Sequence, residues 1–436
     1  MTTAPAGQEV PAARRATALP ARGMPWPDAR RLAGEVAGPL APRQLPLLAA
    51  CWRVLADDIV ALTDLPAADT SAMDGWAVAG RAPWQVVADL PAGRLFGRPL
   101  AAGECVRIAT GAVVPGGTDA VVPVELSVQD ASGVRPTGPT GLLPRDHVRR
   151  TGEEARRGDM LVRAGTLVTP PVVGLAAAAG HDTLLVAPPA VIDVLVLGDE
   201  LVDHNVPVPG RTRDALGPQL PAWLAAYGAP ARTVRSLPDR LPDLVTALAG
   251  TDADVVVTTG GTSVGPRDHV PAAIVRVGGQ VLVDGVDVKP GHPMLLAALP
   301  DGRWLVGLPG NPFAACAALV TLVGPLLERL HAAVPVPTVT ARLASAEPGR
   351  PGDGHRLLPI RRSEDGDAVV LPSCGSAMLR GLAQATGLAV VPPNGASAGD
   401  EVEYLPLPWH LAMAAHGRPR RGPPRRTGTA APPERG

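Results

Sequence analysis

Apolar positions change period several times along this chain, and each change marks a candidate element. From Pro27 to Ile59 the spacing is helical, broken into pieces by Pro42 and Pro46. Short strands then follow through Val121-Val122, with turns at Ala92-Gly93 and Gly116-Gly117, so residues 75–148 read as a β lobe. Helical spacing returns between Gly152 and Gly180, where Pro170-Pro171 opens a helix and Gly180 closes it. The lobe therefore reads as an insertion in a helical N-terminal domain spanning residues 24–190.

Residues 191–333 have a different rhythm. The run Val191 to Leu197 has no polar alternation beyond Asp193, which predicts a buried strand delivering Asp199 and Glu200 at its carboxyl end. Helices near Pro218–Tyr227, after Pro238-Asp239 and after Asp268 alternate with strands at Ala231–Val234, Asp254–Thr259 and Gln280–Val288. Trp304–Leu308 then leads into a long apolar helix ending at Leu330. Such alternation predicts a doubly wound α/β domain with a parallel sheet, which binds ligands beyond the carboxyl ends of its strands. Residues 334–409, again short strands with Gly and Pro turns, read as a small β barrel or sandwich, and the barrel is taken as the fold class there. Residues 1–23 and the Pro- and Arg-rich 410–436 read as a disordered leader and tail.

Composition narrows the function. A chain of 436 residues, 46% hydrophobic, suggests about three domains at roughly 150 residues each. A net charge of −1 and a pI near 6.8 supply no large basic field, so neither nucleic acid nor an anionic membrane is an expected partner. Cys51, Cys105, Cys316 and Cys374 are far apart, which suggests neither a zinc site nor a disulfide framework and fits a cytoplasmic location. Lys289 is the only lysine among 40 basic residues. Its ammonium is a compact point charge that a planar guanidinium cannot imitate in a tight anion pocket.

Candidate chemistry collects at glycine loops. Gly260, Gly261 and Gly265 allow positive φ and close approach to a ligand, while Thr262 and Ser263 add hydroxyls and Asp268 stands where a helix should begin. This is either a phosphate cradle or a tight turn with an Asp cap. In Gly310-Asn311-Pro312, Asn as N-cap and Pro at the first helical position make a second anion seat or simply a good helix start. Asp69 and Asp74 flank two hydroxyls in a turn, and Thr110 sits at a strand end before Gly111.

Four spaced segments, Asp69-Thr-Ser-Ala-Met-Asp-Gly-Trp, Gly198-Asp-Glu-Leu, Thr259-Gly-Gly-Thr-Ser-Val-Gly with Asp268, and Leu308-Pro-Gly-Asn-Pro, occur in fixed order. They resemble the molybdopterin molybdenumtransferases of the MoeA type, which include the E domain of gephyrin. Thr110-Gly-Ala with Pro115, Asp119 and Glu125, and Lys289-Pro-Gly, fit the same pattern, and the resemblance spans Pro27 to Leu405. It implies a homodimer and a reaction that inserts molybdate into adenylylated molybdopterin with release of AMP. Mg2+ is the implied cofactor, with Glu200 and Asp268 as its ligands. The implied catalytic residues are Asp69, Thr110, Glu200, Asp268 and Lys289, the first two reaching the cleft from the partner subunit. Substrate binding falls to Asp74, Asp239, Gly260, Gly261, Thr262, Ser263 and Gly265, together with Gly291, His292, Pro309, Gly310 and Asn311. A molybdopterin adenylyltransferase and molybdoenzymes are the implied protein partners. The chain departs from the family at Glu154, Leu197, Leu216, His269 and His292. A molybdopterin adenylyltransferase activity and a non-catalytic molybdopterin-binding or scaffold role remain alternatives.

Overall fold

The computed structural model describes residues 23–138, 145–263, 265, 268–333, 339–349, 352, 354–363 and 365–409. The expected leader and tail therefore lie outside the described residues, apart from Gly23. Among the described residues the chain forms two compact units, one on residues 23–38, 189–330 and 339–409, the other on 39–188 and 331–333.

In the unit built on residues 39–188, the helix expected to run towards Ile59 is confined to Leu47–Ala50. Cys51 leaves it in an extended conformation, Trp52 takes φ 66°, and the chain then bridges Val54 to Leu167 and Leu55 to Val186. The apolar spacing reports a small core of Ala50, Leu55, Ile59, Val168, Ala176, Leu184 and Val186, which irregular backbone fills as well as a helix would. The returning helix forms as expected, at Pro170–Ala178. The β lobe is a four-stranded sheet in the order Gln85–Leu90, Glu104–Ile108, Gly75–Val78, Ala120–Pro123. Its Gly75–Val78 strand is buried on both faces, with Ala77 in one cluster and Trp76 and Val78 in another.

In the other unit, six strands form one sheet in the order Ala231–Leu237, Ile192–Leu197, Val255–Thr259, Trp304–Leu308, Leu295–Ala298, Gln280–Asp284. The first four are parallel, as expected, but Leu295–Ala298 runs antiparallel to its neighbours on both sides, so the sheet is mixed. The run expected as one strand from Gln280 to Val288 breaks at Gly285, whose φ of 80° turns the chain. Its second half, Val286–Lys289, joins a different sheet, between Met24–Pro25 and His355–Arg362. That second sheet continues through Gly387–Val391 and Glu401–Pro406 to Val339–Arg342, with Ala368–Val370 paired on His355–Arg362. Among the described residues, Leu343, which follows Val339–Arg342, bridges Ala368, and Ala344 N–H donates to the Ala368 carbonyl at 2.9 Å, linking that end of the path back to the strand paired on His355–Arg362.

Pro312–Leu330 is the one described helix long and apolar enough to cross a membrane, yet 89% of its apolar window is buried inside the protein, as in a core helix. A π turn at Leu319–Val323 interrupts it. The helix Trp26–Glu35 packs there, Trp26 Nε1 donating to Thr321 Oγ1 at 3.0 Å and Arg30 donating to the Val320 carbonyl.

Candidate functional site

Three neighbouring parallel strands end at Leu197, Thr259 and Leu308, and their loops meet. Gly260 N–H donates to the Leu308 carbonyl at 2.8 Å. A Cβ on Gly260 would lie 3.6 Å from the Leu197 carbonyl oxygen and 4.0 Å from Gly310 Cα, so the three backbones nearly touch. Positive φ at Gly260 and Gly261, 75° and 67°, turns the chain sharply there. Asp268 closes this loop by accepting from Ser263 N–H at 3.1 Å and Gly265 N–H at 2.5 Å. The N–H groups of Gly261 and Thr262 take no partner among the described residues. Asp268 thus caps the turn, and the turn leaves two amides open among the described residues. The cap serves the loop and not the helix, whose N-cap is His269.

Thr262 does not offer its side chain outward. It is 3% exposed, and its methyl group covers Gly307, where a Cβ would lie 2.6 Å away.

On the adjoining strand ends, Asp199 and Asp239 exchange bonds, each backbone N–H donating to the other's carboxylate at 3.2 Å. Glu200 beside them is exposed. The chain beyond Glu200 borders a cavity of about 570 Å³ lined by Gly198, Leu201, Asp203, His204, Arg211, Asp214 and Ser236, among others. Among the described residues no group of three or more His, Cys, Asp or Glu is placed to hold a metal ion.

The second expected anion seat is occupied by the chain itself. Asn311 is the N-cap by backbone position but makes no side-chain cap bond. The first free amides of its helix, Phe313 and Ala314, donate at 2.9 and 3.1 Å to the carbonyl of Ser376, and Asn311 Nδ2 lies 3.4 Å from Ser376 Oγ. Ser376 belongs to the Gly375–Met378 turn, in which Met378 N–H donates to the Gly375 carbonyl at 2.8 Å. Pro309 is buried and Gly310 exposed at this corner.

Lys289 is not at the edge of the α/β sheet, where the unbroken Gln280–Val288 strand would have put it. It ends a strand of the second sheet, level with Arg356. Its turn nonetheless lies against the Pro312 helix, since a Cβ on Gly291 would come 3.5 Å from the Ala314 carbonyl oxygen. The Nδ1 of His292 pairs with the Val286 carbonyl at 2.8 Å, turning the ring back towards the start of the strand.

In the other unit, Asp69, Asp74 and Thr110 come together in one loop cluster. Asp74 accepts from Thr110 N–H at 2.7 Å and Thr110 Oγ1 at 3.0 Å, which holds its carboxyl below the usual range. Asp69 accepts from Thr151 N–H at 2.8 Å and Thr151 Oγ1 at 2.9 Å and pairs with Arg145. Thr151 and Arg145 were not legible as partners, because both lie far along the chain from Asp69. The departures are structural in setting: Leu197 and Leu216 are core residues, and Glu154 N–H donates to the Leu65 carbonyl at 2.9 Å.

Glycine loops gathered at the carboxyl edge of a mixed α/β sheet, carried in one chain with two β-rich parts, define a multidomain ligand-binding protein of α/β class. Residues 24–180 match the family described as MoeA N-terminal region (domain I and II), 193–329 that of Probable molybdopterin binding domain, and 340–407 that of MoeA C-terminal region (domain IV). The molybdopterin molybdenumtransferase of Synechococcus elongatus is 33% identical over 398 residues, covering 86% of this chain and 97% of that protein. That of Haemophilus influenzae is 34% identical over 295 residues, 66% of this chain and 72% of that protein. The crystal structure of the molybdopterin biosynthesis MoeA protein from Pyrococcus horikosii matches with a TM-score of 0.71 at 25% identity, over 88% of this chain and 99% of that one. The chain belongs to the MoeA family of molybdopterin molybdenumtransferases.

Proposed function

We propose that this chain is a molybdopterin molybdenumtransferase of molybdenum cofactor biosynthesis, inserting molybdate into the dithiolene of adenylylated molybdopterin with release of AMP. Family membership supports the activity. The observation that carries the site is the meeting of the Gly198, Gly260 and Gly310 loops, with the Gly261 and Thr262 amides open beside them. Open backbone amides bind phosphate oxygens without any side chain. In this reading the phosphoanhydride seats on those amides, Asp268 holds the loop in shape, and Glu200 presents its carboxylate from the neighbouring strand end. Lys289 supplies positive charge as AMP departs. Asp69, Asp74 and Thr110 form a second functional cluster in the same reaction.

Mg2+ fits this edge as an ion shared with substrate. The protein offers Glu200 and the second lone pairs of the Asp268 oxygens, too few for a cage, and phosphate oxygens and water complete such a shell. When bound, the ion would draw charge from the phosphoanhydride. A homodimer, which rests on the family resemblance, and a cytoplasmic location, which rests on the widely spaced free cysteines, belong to the same proposal.

Incubation with adenylylated molybdopterin, molybdate and Mg2+ is expected to release AMP. Folded protein that releases none would defeat the proposal, and pyrophosphate formed from ATP and molybdopterin would mark an adenylyltransferase instead.

A further inference from the structure

We infer that Arg211 is a positioning residue for Glu200, fixing the backbone on both sides of that carboxylate. The guanidinium donates through Nη1 to the Asp199 carbonyl at 2.8 Å and through Nη2 to the Leu201 carbonyl at 3.2 Å. Glu200 is the residue between those two carbonyls. Its own carbonyl accepts from Thr212 N–H at 2.9 Å, within the two-residue parallel pair of Leu201–Val202 with Thr212–Arg213. The next bond, Asp214 N–H to the Val202 carbonyl, is also 2.9 Å. One side chain thus bridges the peptides that flank Glu200 and, from the opposite strand, its neighbours hold the carbonyl of Glu200 itself.

The arrangement calls for arginine. A planar fork reaches two carbonyls two residues apart with both bonds charge-assisted, whereas a lysine ammonium on a flexible stem fixes neither peptide plane as rigidly. The need for a clamp is local. Residues 203–210 leave and rejoin this pair as an exposed loop closed by Arg211 N–H on the Val208 carbonyl at 2.9 Å, and Val206 and Val208 are 88% and 64% exposed. No core packing holds that loop, so hydrogen bonds at its base decide where Glu200 points. Arg211 also lines the cavity of about 570 Å³ that the loop borders.

The inference rests on the role proposed for Glu200, and its test separates the two. Arg211→Ala is expected to lower kcat for AMP release about 10- to 100-fold with KM changed less than about 3-fold, as for a misplaced catalytic group. Arg211→Lys should recover part of that loss. In a Glu200→Gln background, Arg211→Ala should add less than about 2-fold, because it acts through the carboxylate already removed. Losses that multiply in the double variant would overturn the inference. Amide hydrogen exchange supplies a readout free of activity: Arg211→Ala should speed exchange at Thr212 and Asp214 at least about 10-fold while Val255–Thr259 stays protected. Unchanged exchange at Thr212 and Asp214 overturns the clamp whatever the kinetics. Wild-type protein that releases no AMP would defeat the reaction, and exchange would still decide Arg211. Should Arg211→Ala not fold, the same arms are read in Arg211→Lys.

Discussion

Replacing Asp193 by asparagine removes a buried charge from the amino-terminal half of the strand Ile192–Leu197, far along the sheet from the glycine loops. Asp193 is 4% exposed and accepts four strong bonds: Arg232 Nε at 3.1 Å, Arg232 Nη2 at 2.8 Å, Thr233 Oγ1 at 2.8 Å and Thr251 Oγ1 at 2.6 Å. The Arg232 bond, against the cost of burial, holds its carboxyl down at about 2. Relative to an ordinary aspartate near 3.8, that preference for the charged form is worth about 2 kcal/mol. Asparagine keeps one acceptor but turns an NH2 towards donors, so the full loss is expected at about 2 to 4 kcal/mol. It should stay at the lower end, because Arg232 is 39% exposed and keeps Asp252 at 2.6 Å. The sign with pH follows from the depressed value. Stability from Asp193 is fully present above about pH 4 and is lost as pH falls towards about 2. Urea unfolding of wild type and Asp193→Asn, read at pH 6 and again near pH 2.5, measures the gap. A gap of the stated size that narrows in acid supports the reasoning. A gap below about 0.5 kcal/mol at pH 6, or one equally large in acid, refutes it.

Three other predictions concern the two clusters. Thr110→Ala keeps the backbone bond to Asp74 but removes the hydroxyl, so the Asp74 carboxyl should titrate at higher pH; a carbon-detected NMR titration showing no movement would contradict this. Gly307→Ala places a Cβ 2.6 Å from the Thr262 methyl and should lower stability by about 1 to 3 kcal/mol. Adding Thr262→Ser, which deletes that methyl, should restore most of the thermal midpoint, and no recovery would rule out the clash. Lys289→Arg should slow AMP release nearly as much as Lys289→Ala, on the order of 30- to 1000-fold or 2 to 4 kcal/mol. Full turnover by folded Lys289→Arg would remove an ammonium-specific role.

The parts of the site that the sequence made legible are those written in local pattern. Unalternated apolar runs gave the parallel strands, and glycines directly after Leu197, Thr259 and Pro309 marked where their loops would meet. What stayed hidden depends on partners distant in sequence. Nothing near Asn311 announces that Ser376 will supply the carbonyl for the helix amides. Arg211 likewise sits in an exposed stretch without periodicity, and its function lies in two carbonyls that any sequence would provide. Gly285 misled differently: a lone glycine in an apolar run signals a bulge as readily as a break, and only the second sheet shows where Val286–Lys289 belongs. The Leu45–Ile59 spacing marked Leu55 and Ile59 as core but neither their backbone conformation, which is extended, nor the exposure of Leu48 and Trp52.

The most direct measurement of the central claim is the ratio of molybdenum bound to pterin dithiolene to AMP released, in one reaction with adenylylated molybdopterin, molybdate and Mg2+. The account predicts about one molybdenum incorporated per AMP, with both lost together in Lys289→Ala. AMP release that proceeds unchanged without molybdate, or molybdenum incorporation without AMP, would contradict it.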